Sequence, residues 1–270
     1  MNSIQPVLVF DVTFPGTWLD IEDPQLCSEI RKLLFALETH FFEATMALNL
    51  FIRQPIQKEY YSFFDRYEQY GMRLEELEKN LMRQHGETQL TTAIREQAAE
   101  SLRQEKFADG IFPRQFLLIQ SMIHAKAFIY ALDGFEKSLG VLSKIAGPPE
   151  CLAEIHSEIK MAFPYLKGIR DSSHHMEDRV RGLGRGSNGK EGKPINLSSA
   201  LELEIETRGQ VVFLDALRGS TFQTMMENGG IGSIDVSADS MEQLQSIFSQ
   251  VLGAFRWKGS PDIKPSDFGC

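Results

Sequence analysis

The run Arg170-Asp171-Ser172-Ser173-His174-His175 gathers a fixed cation, a carboxylate, hydroxyls and imidazoles into consecutive positions. On a helix, a spacing of four sets Arg170 beside His174, and Asp171 beside His175 and, one turn back, Lys167. A carboxylate next to an imidazole can fix its tautomer and orientation, the role expected of Asp171 toward His175. A guanidinium can present a planar fork to a phosphate, the role expected of Arg170. Together they suit cleavage of RNA: the imidazole takes the proton of the ribose 2′-OH, and the cation stabilises charge developing at the phosphoryl group. This chemistry calls for no cofactor. His174 is a second candidate catalytic imidazole.

The surrounding charges fit the same chemistry. The chain is acidic overall, with a net charge of −9 and a sequence pI of about 5.3, so its whole-molecule field repels nucleic acid. Around the run, however, Lys167, Arg170, Arg179, Arg181, Arg185, Lys190 and Lys193 face only Asp171, Glu177, Asp178 and Glu191. Arg179, Arg181 and Arg185 are the expected guides for an RNA backbone. The plainer reading is a solvated helix end whose cations complement the negative end of the helix dipole.

Other chemistries recede. His174 with Asp178, or Asp171 with His175, has the spacing of a helical metal pair that His156 or His124 could complete, but no second strong ligand pair is visible and no metal is expected. His40, His85, His124 and His156 read singly as satisfied or surface histidines. Cys27, Cys151 and Cys270 are odd in number, far apart and without a CxxC pair, which argues against disulfides and structural zinc. Gly184 to Lys190 copies the GxxxxGK of a phosphate loop, but Glu191 stands where a Ser or Thr must hold magnesium and a helix is expected to precede it.

A helical region must position the run. Of 270 residues, 42% are hydrophobic, enough for a sizeable core, and no uninterrupted apolar run approaches the roughly 20 residues of a membrane span. The first residues lack the basic start of a signal peptide, so a cytoplasmic location is expected. Asp23 caps a predicted helix with Pro24 at its first position, and apolar residues recur from Leu33 to Leu50 before Pro55 ends it. A second amphipathic helix carries Tyr60 to Leu81, a more polar one runs from Thr91 to Gln104, and a long apolar one runs from about Arg114 to Lys144, with Gly134 and Gly140 as its weak points. The last helix is predicted to start near Pro148-Pro149, kink at Pro164 and continue into the polar run.

Near residue 185 the composition shifts. Gly182, Gly184, Gly186, Gly189 and Gly192 read as a linker, after which Leu201, Leu203 and Ile205 alternate with glutamates. Hairpins are predicted around the turns Thr207 to Gln210 and Glu227 to Gly230, followed by a helix capped by Ser237 or Ser240. The expected fold is mainly α: an antiparallel helical bundle over 1–182 with an N-terminal strand at 6–14, a linker at 183–196, a small α+β unit with an antiparallel sheet at 197–258, and a tail at 259–270. The strand-like Val7 to Phe10 could pair with that sheet and tie the two ends together.

Arg170-Asp171, a spacer of three residues, then His175 resembles the signature of the HEPN (higher eukaryotes and prokaryotes nucleotide-binding) superfamily, and its place on a late helix of a helical region fits. The resemblance implies a metal-independent endoribonuclease of a toxin or defence system. It further implies a homodimer through the helical bundle whose paired motifs form one site, with RNA as substrate and an antitoxin or other protein as partner. The competing expectation is a non-catalytic dimeric helical scaffold or binding protein in which the polar run is structural.

Overall fold

Asp23 starts the first helix as its sequence predicts: its Oδ1 accepts the backbone N–H of Gln25 at 2.8 Å, and Pro24, which has no N–H to satisfy, begins α1 (Pro24–Ile52). The computed structural model describes residues 6–53, 56–145, 147–184, 192, 194–195 and 214–266, with the backbone alone for 56–67, 114 and 118. The chain is mainly α with a small antiparallel sheet region, and it divides into two compact units, 1–52 with 122–270 and 53–121. That division departs from the expected break near 183, because the chain ends return to the first helix and a helical insertion forms the smaller unit.

In the smaller unit, α2 (Ile56–His85) packs on α3 (Thr92–Ala108). Thr91 caps α3 by accepting the N–H of Ile94, and Ile94, Ala98 and Leu102 make a buried stripe at helical spacing. Arg73 of α2 grips Glu105 of α3 in a two-pronged fork, with N···O distances of 3.0 and 2.8 Å. Glu105 is thereby held below the usual carboxylate range.

The boundary between the units falls inside α4 (Arg114–Leu142), which is long and apolar enough, by length and composition, to cross a membrane. In the larger unit its residues Phe128, Leu132, Phe135, Leu139 and Leu142 are core. There, Phe248 of α8 (Ala238–Ala254) meets Phe41 of α1 and Phe135 of α4 at 5.5 Å and Phe14 of β1 (Val12–Phe14) at 6.1 Å between ring centroids. Ser237 caps α8, accepting from the N–H of Ser240. The helix α4 runs unbroken through Gly134 and Gly140, which admit neighbouring rings. A Cβ on Gly134 would lie 2.6 Å from the His40 ring, and one on Gly140 would lie 2.9 Å from that of His156.

The two ends are tied, though not through the expected sheet. Strand β1 pairs antiparallel with β7 (Asp262–Lys264), Phe14 opposite Asp262, and β2 (Trp18–Leu19) pairs with β6 (Trp257–Lys258). What was read as a C-terminal tail therefore belongs to the larger unit. Lys264 reaches Glu38 of α1 at 2.8 Å. The predicted hairpin around 207–210 lies outside the described residues. The next one is present: β3 (Ala216–Arg218), β4 (Thr221–Met225) and β5 (Ile231–Asp235) form a three-stranded antiparallel sheet.

The last long helix is broken, not kinked. It comprises α5 (Cys151–Ala162) and α6 (Leu166–His174), separated at Phe163-Pro164-Tyr165. Pro164 disfavours helical geometry in the residue before it, and Phe163 lies at φ −127°, ψ 67°. The sheet then seats α6: Leu166 and Ile169 join Phe222 and Ile234 in the core, and Met226 lies between Gly168 and Gly232. The helix that carries the polar run is thus fixed by packing on the sheet.

Candidate functional site

The polar run ends α6, and the chain breaks again inside it. His175 leaves helical geometry at φ −117°, ψ 43°, its N–H shared between the carbonyls of Asp171 and Ser172 at 3.2 Å each. The short α7 (Met176–Val180) follows. It closes on Gly182, whose φ of +71° only glycine adopts readily, with Leu183 N–H on the Asp178 carbonyl at 2.8 Å and Gly182 N–H on that of Arg179 at 2.9 Å.

Arg170 faces α4 and its own neighbour. Its Nε lies 3.2 Å from Asp133 Oδ1 and its Nη1 3.0 Å from Asp171 Oδ1, with 22% of the side chain exposed. The Nε–H itself makes no hydrogen bond, so the contact with Asp133 is an ion pair without alignment. Asp133 also holds Lys137 at 2.6 Å. Two cations and two carboxylates therefore balance. Lys126, Tyr130, Asp133 and Lys137 recur at helical spacing on α4 and form a polar stripe: Lys126 pairs with Asp215, whose carboxylate is covered, and the Tyr130 and His174 rings meet in a tilted contact at 5.3 Å between centroids.

The expected partnerships inside the run are rearranged. Asp171 is engaged by Arg170, and among the described residues no side-chain hydrogen bond joins it to His175. The break after His174 carries the His175 ring off the α6 face, with Nδ1 3.7 Å from Glu177 Oε1 and 36% of the side chain exposed. His174, the last residue of α6, is exposed one turn from Arg170, with its ring 5.3 Å from that of Tyr130 between centroids.

The expected RNA guides diverge. Arg179 is 2% exposed: its Nε donates to Ser172 Oγ at 3.3 Å, its Nη1 to the Leu183 carbonyl, and its Nη2 has no hydrogen-bond partner. It braces the turn after α7 from inside and is not offered to a backbone outside. Arg181 is over half exposed, 4.0 Å from Asp178. Arg185 and the GxxxxGK segment after Gly184 lie outside the described residues.

Sequence reasoning missed Asp133, Lys137 and Tyr130. The signal for Asp133 was a lone acid in the apolar stretch Ala131-Leu132-Asp133-Gly134-Phe135, where a buried carboxylate demands a cation. It also missed that His175, Glu177 and Asp178 bring three potential ligand atoms within 4.8 Å of one another, because a continuous helix would have paired His174 with Asp178 instead. A surface groove of about 650 Å³, near Cys27, Arg31, Lys32 and Phe35 at the start of α1, contains none of the polar run. No family model matches the chain, and no curated protein or solved structure matches it.

Proposed function

We propose that the chain is a non-catalytic helical scaffold or binding protein, acting in the cytoplasm, in which the polar run holds α6 to α4. The carrying observation is the enclosure of Arg170 between Asp133 and Asp171, with most of its side chain covered. A phosphate would have to displace a carboxylate to be gripped by this guanidinium, and the freed carboxylate would lose a cation in a poorly solvated place. Support for a binding role comes from α1, which leaves Phe35, Met46 and Leu50 exposed at helical spacing, apolar surface of the kind that a second copy or a protein partner covers.

The runner-up is the HEPN-like metal-independent endoribonuclease, a toxin or defence protein dimerising through its helices and held by an antitoxin. The observation favouring it is that His174 and His175 are open to solvent within about a turn of Arg170. The deciding experiment incubates purified protein with single-stranded and structured RNAs, with and without divalent metal, beside His175→Ala. The scaffold reading expects intact RNA in every lane. Cleavage by wild type that His175→Ala abolishes while staying folded would replace it with the ribonuclease reading.

A further inference from the structure

We infer that His175, Glu177 and Asp178 form a binding site for one divalent transition-metal ion of the Zn²⁺ or Mn²⁺ class. The inference depends on neither functional reading, and it departs from the expectation that the chain holds no metal. The donor set is mixed, an imidazole with two carboxylates, which suits ions of intermediate hardness better than Mg²⁺ or Ca²⁺. The three ligand atoms come from one short stretch of chain and lie within 4.8 Å of one another.

Comparison with the other histidine–glutamate pairs of the protein is informative. His40 meets Glu43 at 2.9 Å and His156 meets Glu136 at 2.7 Å, both direct hydrogen bonds. At His175 the carboxylate stands back, with Nδ1 3.7 Å from Glu177 Oε1, too far for a hydrogen bond. Two ligands that each lie about 2.0–2.2 Å from a shared ion are themselves about 3–4 Å apart, so this separation leaves the room an ion occupies. Asp178 is paired with Arg181 at 4.0 Å, a separation longer than a hydrogen bond. The break at His175 also puts the site at the C-terminal end of α6, where the last carbonyls favour a cation. Three protein ligands leave coordination positions for water.

The test uses tag-free, full-length protein stripped with chelator. Zn²⁺ is titrated by calorimetry, and Co²⁺ by its visible absorption, which reports the ligand field directly. The expected result is one ion per chain for wild type, binding weakened about tenfold or more in Glu177→Gln and in Asp178→Asn, and loss of the Co²⁺ bands in His175→Ala. Glu177 is 70% exposed, so Glu177→Gln carries the test even where His175→Ala does not fold. No binding by wild type, or binding unchanged across the variants, overturns the inference.

Discussion

Arg170 of α6 and Asp133 of α4 stand 3.2 Å apart, Nε to Oδ1, in a contact between helices separated by the whole of α5 in sequence. That contact turns a motif with the residue types of an active site into a joint. It explains why the guanidinium is mostly covered and why α4 carries a buried acid among the apolar residues Leu132 and Phe135.

Removing Asp133 is expected to be costly. In Asp133→Ala, Arg170 retains only Asp171, and a covered guanidinium loses half of its compensation, for a loss of about 1–3 kcal/mol. Urea denaturation followed by circular dichroism measures it, and the midpoint should fall without a change in slope.

Substitutions at His175 and His174 should separate from that effect. His175 is partly exposed with no close hydrogen bond, so His175→Ala is expected to change stability by no more than about 0.5 kcal/mol in metal-free buffer. His174→Ala loses the tilted ring contact with Tyr130, about 0.5–1.5 kcal/mol. Thermal melts of the two variants side by side check the order.

Gly140→Ala tests the packing of α4. Alanine favours a helix over glycine by about 1 kcal/mol, but the new Cβ would lie 2.9 Å from the His156 ring, which Glu136 holds at 2.7 Å. Crowding by a ring that is pinned outweighs propensity, with a net loss of about 1–2 kcal/mol expected. The double variant with His156→Ala should recover part of that loss relative to His156→Ala alone, and denaturation of all the variants decides it.

His124 gives a pH dependence. Burial disfavours its charged form and lowers its pKa below the ordinary histidine value. The unfolded chain therefore binds the proton first as pH falls, so this group's contribution is flat above the ordinary histidine range, and stability declines as pH drops from the unfolded to the folded pKa. Denaturation across pH 5 to 8, on the order of the histidine range, should show a shallower decline in His124→Gln, and a proton NMR titration should place the His124 midpoint below that of free histidine.

Local signals carried most of the helical fold. Asp23, Thr91 and Ser237 announce helix starts through side chains that accept N–H groups two or three residues ahead, and Pro164 announces a break through its own ring. The break at His175 carries no Gly or Pro signal, and it takes the His175 imidazole off the α6 face and brings it to Glu177 and Asp178. The pairing of Arg170 with Asp133, the joining of β1 to β7 and the fitting of His40 and His156 against glycines are contacts between distant segments, set by packing and invisible to spacing along one helix. The motif Arg170-Asp171 to His175 was legible as residue types, while the partners that decide its role were not.

The central claim, that Arg170 is a joint between helices, is tested most directly by a double-mutant cycle of Asp133→Ala and Arg170→Ala measured by equilibrium denaturation. A coupling of about 1–3 kcal/mol is predicted, with the double variant no less stable than the worse single one by more than about 0.5 kcal/mol. Additive losses, with a coupling below about 0.5 kcal/mol, would contradict it.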